Sequence, residues 1–220
     1  MTRIALTLAL AAGTAHAGEI VQTYDYTLNG LIFTNDSFTM DSFDTMGGTR
    51  QLTDIKVNID GQYTIEHFVE NLEDRAITAD EYFFEPFVAT TLNLAGLSTG
   101  AIASVGWGAL STDLEAADGV EGSGADYYQW NFGGGISNEL YFLETFFPAF
   151  ETNGAGTIEG TLGVFNDLLL TPPPPLFDVG TQNHSHTGSF TLTYIYDTVP
   201  APGTAGVLAL AGLAAARRRR

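Results

Sequence analysis

The sequence predicts an all-β fold, a β-sandwich with a jelly-roll-like barrel as the alternative, and three observations carry that expectation. Apolar side chains recur at every second residue in several stretches, helical periodicity is scarce, and segments rich in β-branched and aromatic residues are separated by Gly, Asn and Asp. Cysteine is absent, so neither disulfides, thiolate metal sites nor cysteine nucleophiles are available and the fold stands on its core.

Residues 1–17 read as a secretory signal. Arg3 supplies the positive charge, Ile4 to Ala12 the apolar run, and Ala15-His16-Ala17 a small-x-small cleavage site that exposes Gly18. The body, residues 18–197, suits a single domain. Its first strand candidate is Ile20 to Leu28. In Leu52 to Ile59 the side chains of Ile55, Val57 and Ile59 alternate with polar neighbours, and after Asp60-Gly61 the alternation resumes at Tyr63, Ile65 and Val69. This predicts a hairpin whose three-residue loop is Ile59, Asp60 and Gly61, with Gly61 at positive φ, Val57 opposite Tyr63 and Ile55 opposite Ile65. Further strands are expected at Phe87 to Leu94, Tyr127 to Phe132, Thr157 to Phe165 and Gly188 to Asp197. The last sets Phe190, Leu192, Tyr194 and Tyr196 on one face. Asn138 to Phe150 fits either strand or short helix. Pro172 to Pro175 reads as an extended polyproline connection at the surface.

Of the eight basic residues, Arg50, Lys56 and Arg75 alone lie in the body, against all 26 acidic ones, a net charge of −23 where the whole chain carries −18. Such a body repels nucleic acid and anionic head groups and attracts divalent cations.

His184-Ser185-His186 would put two rings on one face of an extended segment, a spacing suited to two ligands of zinc, copper or nickel, with the third to come from elsewhere. The competing expectation is a solvated polar loop leading into the last strand. His67, on the apolar side of its strand, is expected to be a partly buried structural histidine. With 26 acids some carboxylate pair meets any distance criterion for glycoside hydrolysis, so that criterion has no power. Calcium is the better-motivated ion, because Asp, Asn and Gly cluster in Asn35-Asp36-Ser37, in Asp113 to Asp126 and at Asp178. The row Tyr128, Trp130 and Phe132 is either a carbohydrate platform or core, and Trp107 likewise; burial favours core.

Beyond residue 197 come Val199-Pro200-Ala201-Pro202-Gly203, an apolar stretch from Thr204 to Ala216, and Arg217, Arg218, Arg219 and Arg220. The stretch, expected as a hydrophobic helix, is short for a full bilayer span of about 20 residues. The arginines would hold its end on the cytoplasmic side. This order resembles the sorting signal of the PEP-CTERM family, with Pro200 and Pro202 matching the two prolines and Ala201 standing where the family has glutamate. The resemblance covers residues 198–220. It implies membrane insertion before processing, cutting by an exosortase after signal peptidase has removed the leader, and a destination at the cell surface or in the extracellular matrix. Phe43-Asp44-Thr45-Met46-Gly47-Gly48-Thr49 with the strand after it, and Thr187 to Tyr196 at the far end, resemble the choice-of-anchor E domain, which brings no catalytic residues. The expectation is an exported, non-catalytic surface or matrix protein, with extracellular polysaccharide as a partner. A calcium- or carbohydrate-binding lectin-like module is the alternative, and a glycan-active hydrolase stands behind both.

Overall fold

The computed structural model describes residues 17–30, 33–171 and 177–199. The leader up to His16, the Pro172–Pro175 run and everything from Pro200 onward lie outside the described residues. Among the described residues ten strands follow one another: β1 Ala17–Asn29, β2 Phe33–Asp41, β3 Phe43–Asp44, β4 Arg50–Asn71, β5 Phe83–Leu94, β6 Leu97–Gly106, β7 Tyr127–Tyr141, β8 Glu151–Thr152, β9 Thr157–Thr171 and β10 Phe177–Thr198. Two four-stranded antiparallel sheets, ordered β1-β10-β4-β7 and β2-β9-β5-β6, form the sandwich, and β3 and β8 make a small parallel pair. Among the eight long strands the first pairs with the last, the second with the last but one, the third with the sixth and the fourth with the fifth. That nesting is the strand order of a jelly roll, the arrangement held as the alternative.

The core lies between the sheets in two parts. The larger contains Ile55, Val57, Ile59, Leu162, Val164, Phe190, Leu192 and Tyr194, all essentially without solvent contact. The smaller contains Val69, Ile77, Tyr82, Phe84 and Leu114, with Trp130 packed against it. Trp107 packs on the larger part, its ring 5.6 Å edge-on from Tyr63, as a core reading requires.

The expected hairpin does not exist. Residues 50–71 form one 22-residue strand whose odd positions from Ile55 to Asn71 all face inward, Gly61 among them. The unbroken phase across Asp60-Gly61 is what a single strand produces. Gly61 is needed for close approach rather than for a turn. It lies opposite Gly188 of β10, and a Cβ on it would stand 2.5 Å from Tyr26 Oη and 2.8 Å from His186 Nε2.

Asn138 to Phe150 proves to be both things: Asn138–Tyr141 complete β7, and Glu144–Ala149 form a 3-10 turn that buries Phe147 and leads to the buried Phe150. β2 and β6, which the sequence did not mark, are the two edges of their sheet. Edge strands need fewer inward apolar residues: β2 buries only Phe38 and Met40, and β6 only Ile102. The segment Phe43–Thr49 is a tight turn. Its Asp44 accepts hydrogen bonds from the Met46 and Gly154 amides, both at 2.8 Å, which hold the carboxyl below its ordinary range. Among the described residues no helix is long and apolar enough to cross a membrane.

Candidate functional site

The His184-Ser185-His186 segment is not a solvated loop. Both rings are buried within β10, at 5% and 0% exposure, and His67 of the neighbouring β4 is at 0%. A β-bulge turns them inward. Up to Thr181, the odd residues of β10 stand opposite inward-facing positions of β4, Val179 across from Val69 and Thr181 across from His67. Between Gln182 and Ser185 the register shifts, with Asn183 at φ 53°. The extra residue reverses the alternation, so the even residues from His184 onward face the core. Asn183 itself donates its side-chain amide to Glu66 on the outer face.

The three histidines sit near the junction of the two core clusters, and their nitrogens are sparsely partnered. His67 Nδ1 meets the Thr181 hydroxyl at 2.9 Å and His186 Nε2 the Tyr26 hydroxyl at 3.2 Å. Among the described residues His67 Nε2, His186 Nδ1 and both nitrogens of His184 have no partner with hydrogen-bond geometry. Burial disfavours the charged imidazolium and holds His67 and His186 down to about 4, with the nearby His184 adding to the shift in both. His184 is lowered by burial as well, although the Gly30 backbone favours its protonated form. At neutral pH all three rings are therefore uncharged. Thr181 and His67 have the spacing of a nucleophile and its base, but no third group orients the ring through Nε2. Among the described residues no three of His, Asp and Glu converge on a position where one metal ion could be held. The H-x-H pair is buried in the core, and among the described residues no third ligand stands beside it.

The acidic segments fare differently. Asp36 is occupied by the Tyr24 hydroxyl, which it pushes up to about 12. Asp178 is exposed at the start of β10. The stretch from Asp113 to Asp126 is pinned to the end of β4. The Asn71 amide donates to the Asp126 carbonyl at 2.8 Å, the Asn71 side chain donates to the Glu115 carbonyl at 2.7 Å, and the Gly122 amide donates to the buried Glu70 carboxyl. Within this loop Asp126 is buried to 1% exposure. Its Oδ2 accepts the Asp118 amide at 2.8 Å, and its Oδ1 has no partner. Gly119, Gly122 and Gly124 all have positive φ, which only glycine adopts without strain.

The body's three basic residues are engaged elsewhere. Arg50 lies 4.9 Å over the Tyr196 ring, Lys56 pairs with Glu139 at 2.5 Å, and Arg75 pairs with Glu73 at 2.9 Å and Glu81 at 2.8 Å. Tyr128, Trp130 and Phe132 do not form one exposed platform. Trp130 packs edge-on against Phe84 at 4.4 Å and Phe132 against Trp107 at 4.5 Å, leaving Tyr128, its ring 4.5 Å from Trp130, as the exposed member at 45%.

Of the sorting motif, Val199 is described, and its amide donates to the Thr49 carbonyl at 2.8 Å. Pro200, Ala201, Pro202, Gly203 and Arg217–Arg220 lie outside the described residues, as does Ala15. Ala17 and Gly18 open β1.

No protein-family model matches this chain, and no curated protein does. Solved structures similar to it include one of infectious bursal disease virus, Gx strain, at 10% identity and a TM-score of 0.22, covering 94% of this chain and 48% of that one. The Gt strain gives 11% identity and a TM-score of 0.21, with 94% and 48% covered. A mud crab tombus-like virus structure gives 10% identity and a TM-score of 0.17, with 94% and 93% covered. The chain spans about half the length of the bursal disease virus chains it matches.

Proposed function

We propose that this protein is an exported, non-catalytic surface or matrix protein, released from its leader at Gly18 and sorted through the C-terminal proline motif, apolar stretch and arginine cluster. The placement of the two ends of the body carries this reading. Ala17 pairs with Asp197 and Gly18 with Tyr196, so the first and last strands of the body begin and finish side by side at one pole of the sandwich. Signal peptidase and an exosortase-like enzyme would then act at the same end, where the leader cut takes only Ala17, the first residue of β1, out of the ladder. The acidic loop occupies the opposite pole, where Asn71 ends β4. A 22-residue strand rising roughly 3.3 Å per residue sets the two poles about 70 Å apart. A body tethered at one pole before processing presents the other outward, and its net −23 keeps it off anionic head groups.

The alternative, a calcium- or carbohydrate-binding module, draws on that same acidic pole and on the exposed Tyr128.

Intact mass and cell fractionation in the native host test the leading reading. The expected species begins at Gly18, lacks Arg217–Arg220, and is found at the surface or in the medium. A full-length chain recovered from the cytoplasm or retained in the inner membrane would overturn it.

A further inference from the structure

We propose that the loop Asp118–Asp126 is a calcium site in which the Asp118 and Asp126 carboxylates supply two oxygen ligands, loop carbonyls and water completing the shell. Asp126 is the first reason. A carboxylate at 1% exposure with one oxygen unpartnered is a costly arrangement unless a cation or a donor meets that oxygen. Among the described residues no protein donor does so. The direction of the free oxygen is the second reason. A Cβ built on Gly124 would stand 2.6 Å from Asp126 Oδ1 and closer still to Asp118 Oδ2, so the free oxygens of both carboxylates converge on one small space that the glycine keeps open.

Asp118 is already shaped for the task. Its Oδ1 accepts the Val120 amide at 2.7 Å, which leaves Oδ2 to face Asp126. Two acidic side chains converging without an intervening positive charge repel each other, and each of the body's basic residues is committed at other places. Calcium accepts six to eight oxygens at about 2.3–2.6 Å in flexible geometry and mixes carboxylates with carbonyls and water. Two carboxylates place the site in the weak class typical of extracellular modules, with Kd of about 0.1–1 mM. Magnesium, which demands a near-ideal octahedron and sheds water reluctantly, fits this loop less well.

Calorimetric titration of calcium into the chelator-treated full chain provides the test, with Asp118→Asn and Asp25→Asn as variants. Asp118 and Asp25 are both exposed, so each substitution leaves the core untouched, and Asp25 lies on β1 outside the loop. Near-UV circular dichroism checks that both variants are folded. The expected result is one saturable site in the wild type, weakened at least tenfold in Asp118→Asn and unchanged in Asp25→Asn, with magnesium binding at least tenfold more weakly than calcium. The proposal is overturned if no saturable component is found, if Asp118→Asn titrates like the wild type, or if Asp25→Asn loses as much, which would make the binding a diffuse counter-ion effect.

Discussion

Replacing Gly188 by alanine tests the central feature of the sandwich, the close crossing of β4 and β10. A methyl at this position would stand 2.6 Å from the Gly61 Cα, 2.7 Å from Tyr26 Oη and nearer still to the Asp60 carbonyl oxygen, whereas real Cβ contacts essentially begin at 3.0 Å. Two of the three obstacles are backbone atoms and cannot rotate away. The strands must part locally, across a pairing that runs nearly the whole length of β4. Overpacking of this kind costs about 1–3 kcal/mol. Part of that is offset by the roughly 0.5–1 kcal/mol that alanine gains over glycine within a strand. We expect a net loss of about 1–2 kcal/mol in urea denaturation, and about 2–8 °C in Tm for a body of this size. In a hairpin turning at Gly61, Gly188 would have no such neighbour. A Gly188→Ala protein within about 0.5 kcal/mol of the wild type, the range of an ordinary surface substitution, would refute the continuous-strand geometry.

Two further predictions concern the histidines and the bulge that buries them. The unfolded chain protonates its histidines below about pH 6.5, while His67 and His186 stay neutral in the fold down to about 4. Stability is therefore complete above pH 6.5 and falls as pH drops toward 4, with a slope of up to about 1.4 kcal/mol per pH unit for each ring. Denaturation at pH 7.5, 6.0 and 5.0 measures the slope, and it should flatten in His67→Leu; an unchanged slope would count against a buried neutral ring. Deleting Asn183 removes the extra residue of the bulge, so that Thr181 and His184 become alternate residues and one unbroken register against β4 keeps Val179, Thr181, His184 and His186 all facing inward. The variant should keep a cooperative unfolding transition with a Tm close to that of the wild type, whereas loss of cooperative unfolding would mean that the two halves of β10 are not related by a single extra residue.

Sequence alone was enough for the strand class and for most of the inward faces, because side-chain alternation is a local property that period-2 geometry imposes directly. Phe190, Leu192 and Tyr194 are fully buried together, as their spacing requires. The net charge of the body and the clustering of Asp and Gly in Asp113 to Asp126 were equally legible. What tertiary structure decided was everything that depends on a second strand. Asp60-Gly61 has the composition of a turn, and only the presence of Gly188 and Tyr26 across the sheet explains why the chain runs straight through it. His184 and His186 have the composition of a polar loop, and one extra residue at Asn183, visible only as a mismatch against β4, turns them into the core. The orphaned oxygen of Asp126 arises in the same way, because burial is a property of the assembled sandwich and no window along the chain contains it.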